Sequence, residues 1–304
     1  MRYRYHTADV FTHQPFGGNP LAVVMDATGL DGETMRTIAR EFNYSETVFV
    51  LPPDNPAHTA RLRIFTPARE LPFAGHPTVG TAFLLVHSGA VDFDGPETRL
   101  VLEEGVGPVP VTVHRDGAGR VASCQLSVAQ LPEFGPPAPE RGAIAAMLGL
   151  APDQLLDGEF APTAVSCGVP FLLVGVRDSA AVRRSRPDLV QWAKILGNFW
   201  ATEALVYTPA PDLPDCELHG RMYAPSMGIP EDPATGAAGA ALAGFLGSRA
   251  GDGSHAWRLA QGVEMGRPSR LMLEADTAGG AVTGVRVGGT SVAVCEGWIT
   301  VPDA

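Results

Sequence analysis

Three residues of this chain stand in chemically telling settings: Glu46 could move a proton, and His76 and Asp232 stand at helix starts that could hold an anionic group. Glu46 opens the apolar run Thr47-Val48-Phe49-Val50. A carboxylate facing a water-poor cleft is pushed above its ordinary value of about 4.3, toward the pH where a general base works best. His76-Pro77 and Asp232-Pro233 each precede an apolar, helix-like stretch. The spacing predicts a capping residue followed by proline at the first helical position. A helix start carries unpaired N–H groups and partial positive charge, which suit a carboxylate. The amides of Gly75-His76 and Gly236-Ala237, with Thr235 beside them, are the predicted donors. Together these groups suggest abstraction and return of a proton on a small carboxylate-bearing molecule. Plainer roles exist for each residue alone. Asp before Pro is commonly a simple cap, and Glu in a strand commonly faces solvent.

Other standard chemistry is missing from the sequence. There is no P-loop, no Rossmann fingerprint and no G-x-S-x-G elbow; Gly17-Gly18-Asn19-Pro20 is too short for a dinucleotide loop. The histidines and cysteines show no metal-ligand spacing, so no metal site is expected. Cys167 reads as a buried structural thiol.

The elements that must position these residues occur twice. Arg63-Ile64-Phe65-Thr66-Pro67 is echoed by Arg221-Met222-Tyr223-Ala224-Pro225, and Ser45-Glu46-Thr47-Val48 by Thr202-Glu203-Ala204-Leu205. Glu104-Gly105-Val106 is echoed by Gln261-Gly262-Val263, and Gly18-Asn19-Pro20-Leu21 by Gly168-Val169-Pro170-Phe171. A duplicated chain folds as two similar halves, and this register pairs His76 with Asp232 across one shared cleft. Each half is predicted to run as a strand pair, a helix (31–42; 187–197), two strands (46–51 and 59–66; 203–208 and 217–224), an apolar helix (77–88; 233–247) and further strands. Both apolar helices lack a polar face and must be buried all round, inside a curled sheet. The proline-rich stretch 129–139 reads as a linker between halves at about 1–128 and 140–304.

At 304 residues the chain has room for about two domains. A net charge of −11 with no basic cluster argues against nucleic acid and anionic membrane as partners. No apolar run is long enough to span a bilayer, and the first strand begins almost at once, so a cytoplasmic location is expected. Four cysteines with no CxxC pair fit free thiols in a reducing compartment.

The motifs Asp9-Val10-Phe11, Gly17-Gly18-Asn19-Pro20, Ser45-Glu46-Thr47, Phe73-Ala74-Gly75-His76-Pro77-Thr78-Val79-Gly80, Gly168-Val169-Pro170 and Glu231-Asp232-Pro233-Ala234-Thr235-Gly236 cover nearly the whole chain. Through them the sequence resembles the phenazine-biosynthesis PhzF-like isomerases of the diaminopimelate-epimerase-like fold. The resemblance implies an α+β protein of two pseudo-symmetric halves, each a β-barrel-like sheet around a central helix, with the active site between them. It also implies a homodimer, no cofactor, and a last strand (about 291–301) that completes the first half. Glu46 would move the proton, while His76 and Asp232 hold the substrate, by analogy trans-2,3-dihydro-3-hydroxyanthranilate or a related compound. Two departures stand out. Ala74 and Thr235 occupy the places of the paired cysteines of racemases in this fold, which excludes two-thiol epimerisation. Ala237 stands where a substrate-binding serine is common. A non-catalytic binding protein, or a lyase or hydrolase using the same base, are the alternatives.

Overall fold

The computed structural model describes residues 1–302. It is a mixed α+β chain, dominated by strands, that divides into two compact units. One joins Met1–Ser127 with the chain from Gly288 onward, and the other is Val128–Val287.

In the first unit the order is β1 (Arg2–Val10), β2 (Asn19–Val24), α1 (Gly32–Phe42), β3 (Glu46–Leu51), β4 (Ala60–Phe65), β5 (Glu70–Leu71), α2 (Gly75–His87), β6 (Glu97–Glu104), β7 (Gly107–Arg115) and β8 (Val121–Ser127). Helix α1 is the crossover that lets β2 and β3 run parallel, with Leu21 opposite Glu46. It starts at Asp31, whose carboxylate accepts from Thr34 N–H at 2.8 Å, and ends at Asn43 in the left-handed conformation (φ 53°). Strand β3 then pairs antiparallel with β4, and β4 runs parallel to β6.

Helix α2 is buried on every side up to Val86, because its residues offer no polar face. It packs against β1, β2, β3, β7 and β8. Leu84 is fully buried, a contribution of about 1.5–3 kcal/mol. Gly80 permits the close approach: a Cβ there would lie 2.6 Å from Leu21 Cδ2 and Val10 Cγ2.

The second unit contains β9 (Glu133–Phe134), α3 (Arg141–Met147), β10 (Thr163–Ser166), β11 (Pro170–Gly175), α4 (Ser179–Arg184), α5 (Leu189–Ile195), β12 (Glu203–Thr208), β13 (Leu218–Ala224), β14 (Ile229–Asp232), α6 (Gly236–Gly247), β15 (Gly253–Gln261) and β16 (Ser269–Ala278); β17 (Ala281–Gly289) follows. Its pairings run in the same sequence: β11 parallel to β12 with Phe171 opposite Glu203, β12 antiparallel to β13, β13 parallel to β15. Helix α6 is wrapped by β10, β11, β15 and β16.

Three expectations change. The stretch 129–139 is not a free linker. Glu133 and Phe134 pair with Ser166 and Val165, and Pro132 meets the face of α6 at Gly244. A proline-blocked segment can still add a short edge strand. The second unit also ends at Val287 instead of running to 304, and the strand that the resemblance places with the first half does pair there. The final strand, β18 (Ser291–Thr300), lies antiparallel to β1 from Arg2↔Thr300 to Val10↔Ser291, with a bulge at Thr7/Ala8. Finally, both apolar helices begin at different residues from those predicted. Ala74 and Thr235 are the N-caps, so His76 lies in the first turn and Asp232 ends a strand.

Among the described residues no helix is long and apolar enough to cross a membrane.

Candidate active site

In the first unit, the parallel pair β2/β3 and the start of α2 bring four side chains together. Glu46, at the head of β3, is 9 % exposed, and His76, in the first turn of α2, is 4 % exposed. His76 Nε2 lies 3.5 Å from Glu46 Oε2. Its other ring nitrogen, Nδ1, is 3.3 Å from Asn19 Nδ2, and Asn19 Oδ1 accepts from Ser45 Oγ at 2.9 Å.

This chain of contacts has one consistent direction. The Ser45 hydroxyl donates to the Asn19 carbonyl, which leaves the Asn19 amide N–H₂ facing His76. The amide nitrogen can only donate, so Nδ1 must accept and the imidazole hydrogen sits on Nε2, toward Glu46. Burial pushes the imidazole down to about 3, so His76 is neutral near neutral pH. A neutral ring offers Glu46 a polar N–H without a full countercharge.

Backbone geometry makes the arrangement possible. Gly18 has φ 59°, and a Cβ there would sit 2.2 Å from the Val10 carbonyl oxygen. Only glycine allows that turn, which delivers Asn19 to the first position of β2. At the start of α2, Ala74 has no side chain able to cap, and Pro77 has no N–H. The amides of Gly75 and His76 are therefore the helix-start donors that a carboxylate could use.

In the second unit, Asp232, Thr235, Gly236 and Ala237 form a continuous turn into α6. The Thr235 hydroxyl bonds to Asp232 Oδ2. Gln261 braces both: its amide donates to the Asp232 carbonyl at 2.7 Å and to Thr235 Oγ1 at 3.0 Å, while its oxygen accepts from Thr235 N–H at 3.2 Å. Thr235 makes no side-chain cap of the helix. Ala237 presents only a methyl group and adds no hydroxyl to the turn.

Glu203 holds the place in β12 that Glu46 holds in β3, yet its environment differs. It is 1 % exposed, takes hydrogen bonds from Ser226 and Thr202, and burial pushes it up to about 8. It therefore carries a proton near neutral pH. Cys167 is buried, with its Sγ 3.5 Å from the Ala240 carbonyl, and burial raises it to about 12. A thiol so far from ionisation is no nucleophile. No three His, Cys, Asp or Glu side chains gather as a metal-binding group among the described residues.

Asn19, Ser45 and Gln261 join the site only through the fold. Each lay inside a motif or repeat read from the sequence, but its partner is distant along the chain.

Residues 8–297 match the model of the family described as phenazine biosynthesis-like protein. The chain belongs to that family. It is 44 % identical to a protein of Mesorhizobium japonicum named as an uncharacterized isomerase, over 96 % of this chain and 97 % of the relative. It is 36 % identical to the trans-2,3-dihydro-3-hydroxyanthranilate isomerase of Pseudomonas aeruginosa, over 97 % and 98 % of the two chains. In fold it is similar to a PhzF-family phenazine biosynthesis protein of Bacillus anthracis, with a TM-score of 0.89, 24 % identity, and coverage of 99 % of this chain and 100 % of that one. The family and its named relatives make this chain an isomerase-type enzyme.

Proposed function

We propose that this chain isomerises a small carboxylate-bearing substrate by moving one proton between two carbons, with Glu46 as the only base. The observation that carries this reading is the Ser45–Asn19–His76–Glu46 arrangement, in which Asn19, His76 and Glu46 are buried, beside the uncapped start of α2. Glu46 takes a proton from an acidic C–H, the electron pair of that bond forms a new double bond to the neighbouring carbon, and the double bond already there gives its π pair to the carbon at its far end. The same carboxyl then returns the proton to another carbon. Atoms and electrons balance without an oxidant or reductant. The Gly75 and His76 amides bind the substrate carboxylate, and the Nε2–H of His76 orients Glu46 and the substrate. Asp232, Thr235, Gly236 and Ala237 are proposed as further substrate-binding residues. Glu203 is held by the hydroxyls of Ser226 and Thr202, which makes it a poor second base.

The reading also treats the chain as a duplicated fold, each half a barrel-like sheet around its apolar helix, acting as a homodimer in the cytoplasm. The parallel order of strand pairings in the two units supports the duplication.

The test is incubation with trans-2,3-dihydro-3-hydroxyanthranilate, named by the Pseudomonas relative, in heavy water. The expected result is an isomerised product carrying solvent deuterium. Glu46→Gln should lower turnover by about 10²–10⁴, with binding retained. Glu203→Gln should keep most activity. Turnover that survives Glu46→Gln and disappears in a folded Glu203→Gln variant overturns the assignment.

A further inference from the structure

The proposed reaction leaves one buried carboxyl unused. Glu104 ends β6 and is 8 % exposed. Its Oε1 lies 2.6 Å from Thr78 Oγ1, and the backbone amide of Ala74, the N-cap of α2, also faces it. Its Oε2 is buried and makes no hydrogen bond of normal geometry. Thr78 Oγ1 is in addition 2.7 Å from the Ala74 carbonyl oxygen. A hydroxyl has one hydrogen to give. If it goes to the Ala74 carbonyl, the Thr78 oxygen must accept from Glu104, which requires a protonated carboxyl. If Glu104 ionises, that hydrogen swings to the carboxylate and the Ala74 carbonyl loses a bond at the helix start.

The surroundings favour the first arrangement. The groove beside Glu104 carries Asp54, Arg61, Arg63, Glu70 and Glu103. Arg61 pairs with Asp54 and Arg63 with Glu70, while the Glu103 carboxylate accepts from the Asp54 and Asn55 amides and lies 2.8 Å from His58 Nδ1, so these groups are engaged with one another rather than with Glu104. Strand β7, opposite Glu104, presents Gly107 and Pro108. On α2 the titratable side chain of the first turn is His76, which is neutral. Burial pushes Glu104 up to about 8, against the opposing hydrogen bonds of Thr78 and Ala74. The second unit supplies a parallel. Gln261, the counterpart of Glu104 in the sequence repeat, braces the start of α6 with a side chain that is always neutral.

We propose that Glu104 is a positioning residue: its neutral carboxyl, acting through Thr78 and Ala74, holds the first turn of α2, and with it Gly75 and His76, in the geometry the isomerisation uses. This rests on the reading of Glu46 and His76 given above. The sign of the pH effect follows from a folded-state pKa above the unfolded one. The brace is complete below the ordinary glutamate range and is lost as the pH rises through about 8.

Two measurements test it, and the first needs no substrate. In protein labelled with ¹⁵N-histidine, the His76 ring signals, assigned by their absence from His76→Gln, should shift between about pH 6 and pH 9 as Glu104 loses its proton. In Glu104→Gln, which copies Gln261, they should stay still. Equal movement in both proteins, or none in wild type, overturns the proposal. The second is the pH profile of kcat/KM. Wild type should lose activity on the alkaline side, Glu104→Gln should keep near-neutral activity and flatten that limb, and Glu104→Leu should be slower at every pH. An unchanged alkaline limb in Glu104→Gln overturns it too. If wild type turns over no candidate substrate, the functional reading fails, while the histidine signals still decide the role of Glu104.

Discussion

Asn19 shows how a residue that never changes charge can control one that does. Its amide chooses which nitrogen of His76 carries the hydrogen, because its own oxygen is already committed to Ser45. Asn19→Leu removes that instruction and leaves Nδ1 without a partner, a loss of about 1–3 kcal/mol. The expected outcome is a fall in kcat of about tenfold to hundredfold with a smaller change in KM. Asn19→Asp should be worse, since a carboxylate can only accept and would draw the hydrogen to Nδ1, away from Glu46. Steady-state kinetics with ¹⁵N spectra of the histidine tautomers would check both; wild-type kcat in Asn19→Asp would refute the relay. The contrast between Glu46 and Glu203 belongs to the same scale. Matching strand positions hold the same side chain, but Glu203 is sealed with Ser226 and Thr202, while Glu46 faces a histidine.

Helices α2 and α6 were legible as buried cylinders, because an apolar helix has only one way to satisfy its surface. Their starts were not. Pro77 and Pro233 pointed to helices beginning two or three residues off. Proline is tolerated throughout the first turn, where N–H groups lack intrahelical acceptors, so it does not select one position. At Asp232 the backbone was claimed instead by strand pairing with Met222. The small residues of α2 give a prediction at this scale. Gly80→Val gains helix propensity worth less than about 1 kcal/mol, yet it forces atoms into Leu21 and Val10. Overpacking of about 1–3 kcal/mol should win. Denaturant unfolding would show a lower midpoint with an unchanged slope; a midpoint equal to wild type would mean that β1 and β2 yield easily.

The first unit is closed by the far end of the chain. Strand β18 covers β1 along its whole length, and β2 covers the other edge. A chain ending at Thr290 would expose nine residues of β1 as an unpaired edge beside an apolar core. Such a truncation should aggregate, or at least lose amide-exchange protection throughout Arg2–Val10. Size-exclusion chromatography and hydrogen exchange measure this, and full protection of β1 in the shortened protein would contradict it. Exchange in α6 serves as the internal comparison, because that helix packs against strands of its own unit.

The sequence by itself determined the chemical vocabulary: one strand-borne glutamate, a histidine and an aspartate beside prolines, two helices without a polar face, and the order of elements around them. These are local properties, written in residue type and period. The tertiary structure alone decided which of those residues meet. Glu46 reaches His76 because β3 runs parallel to β2 in one register, Asn19 reaches His76 and Ser45 because Gly18 turns the chain, and Glu104 reaches the α2 start because β6 ends beside it. Register and crossover depend on long-range pairing, and no local propensity encodes a partner that lies dozens of residues away.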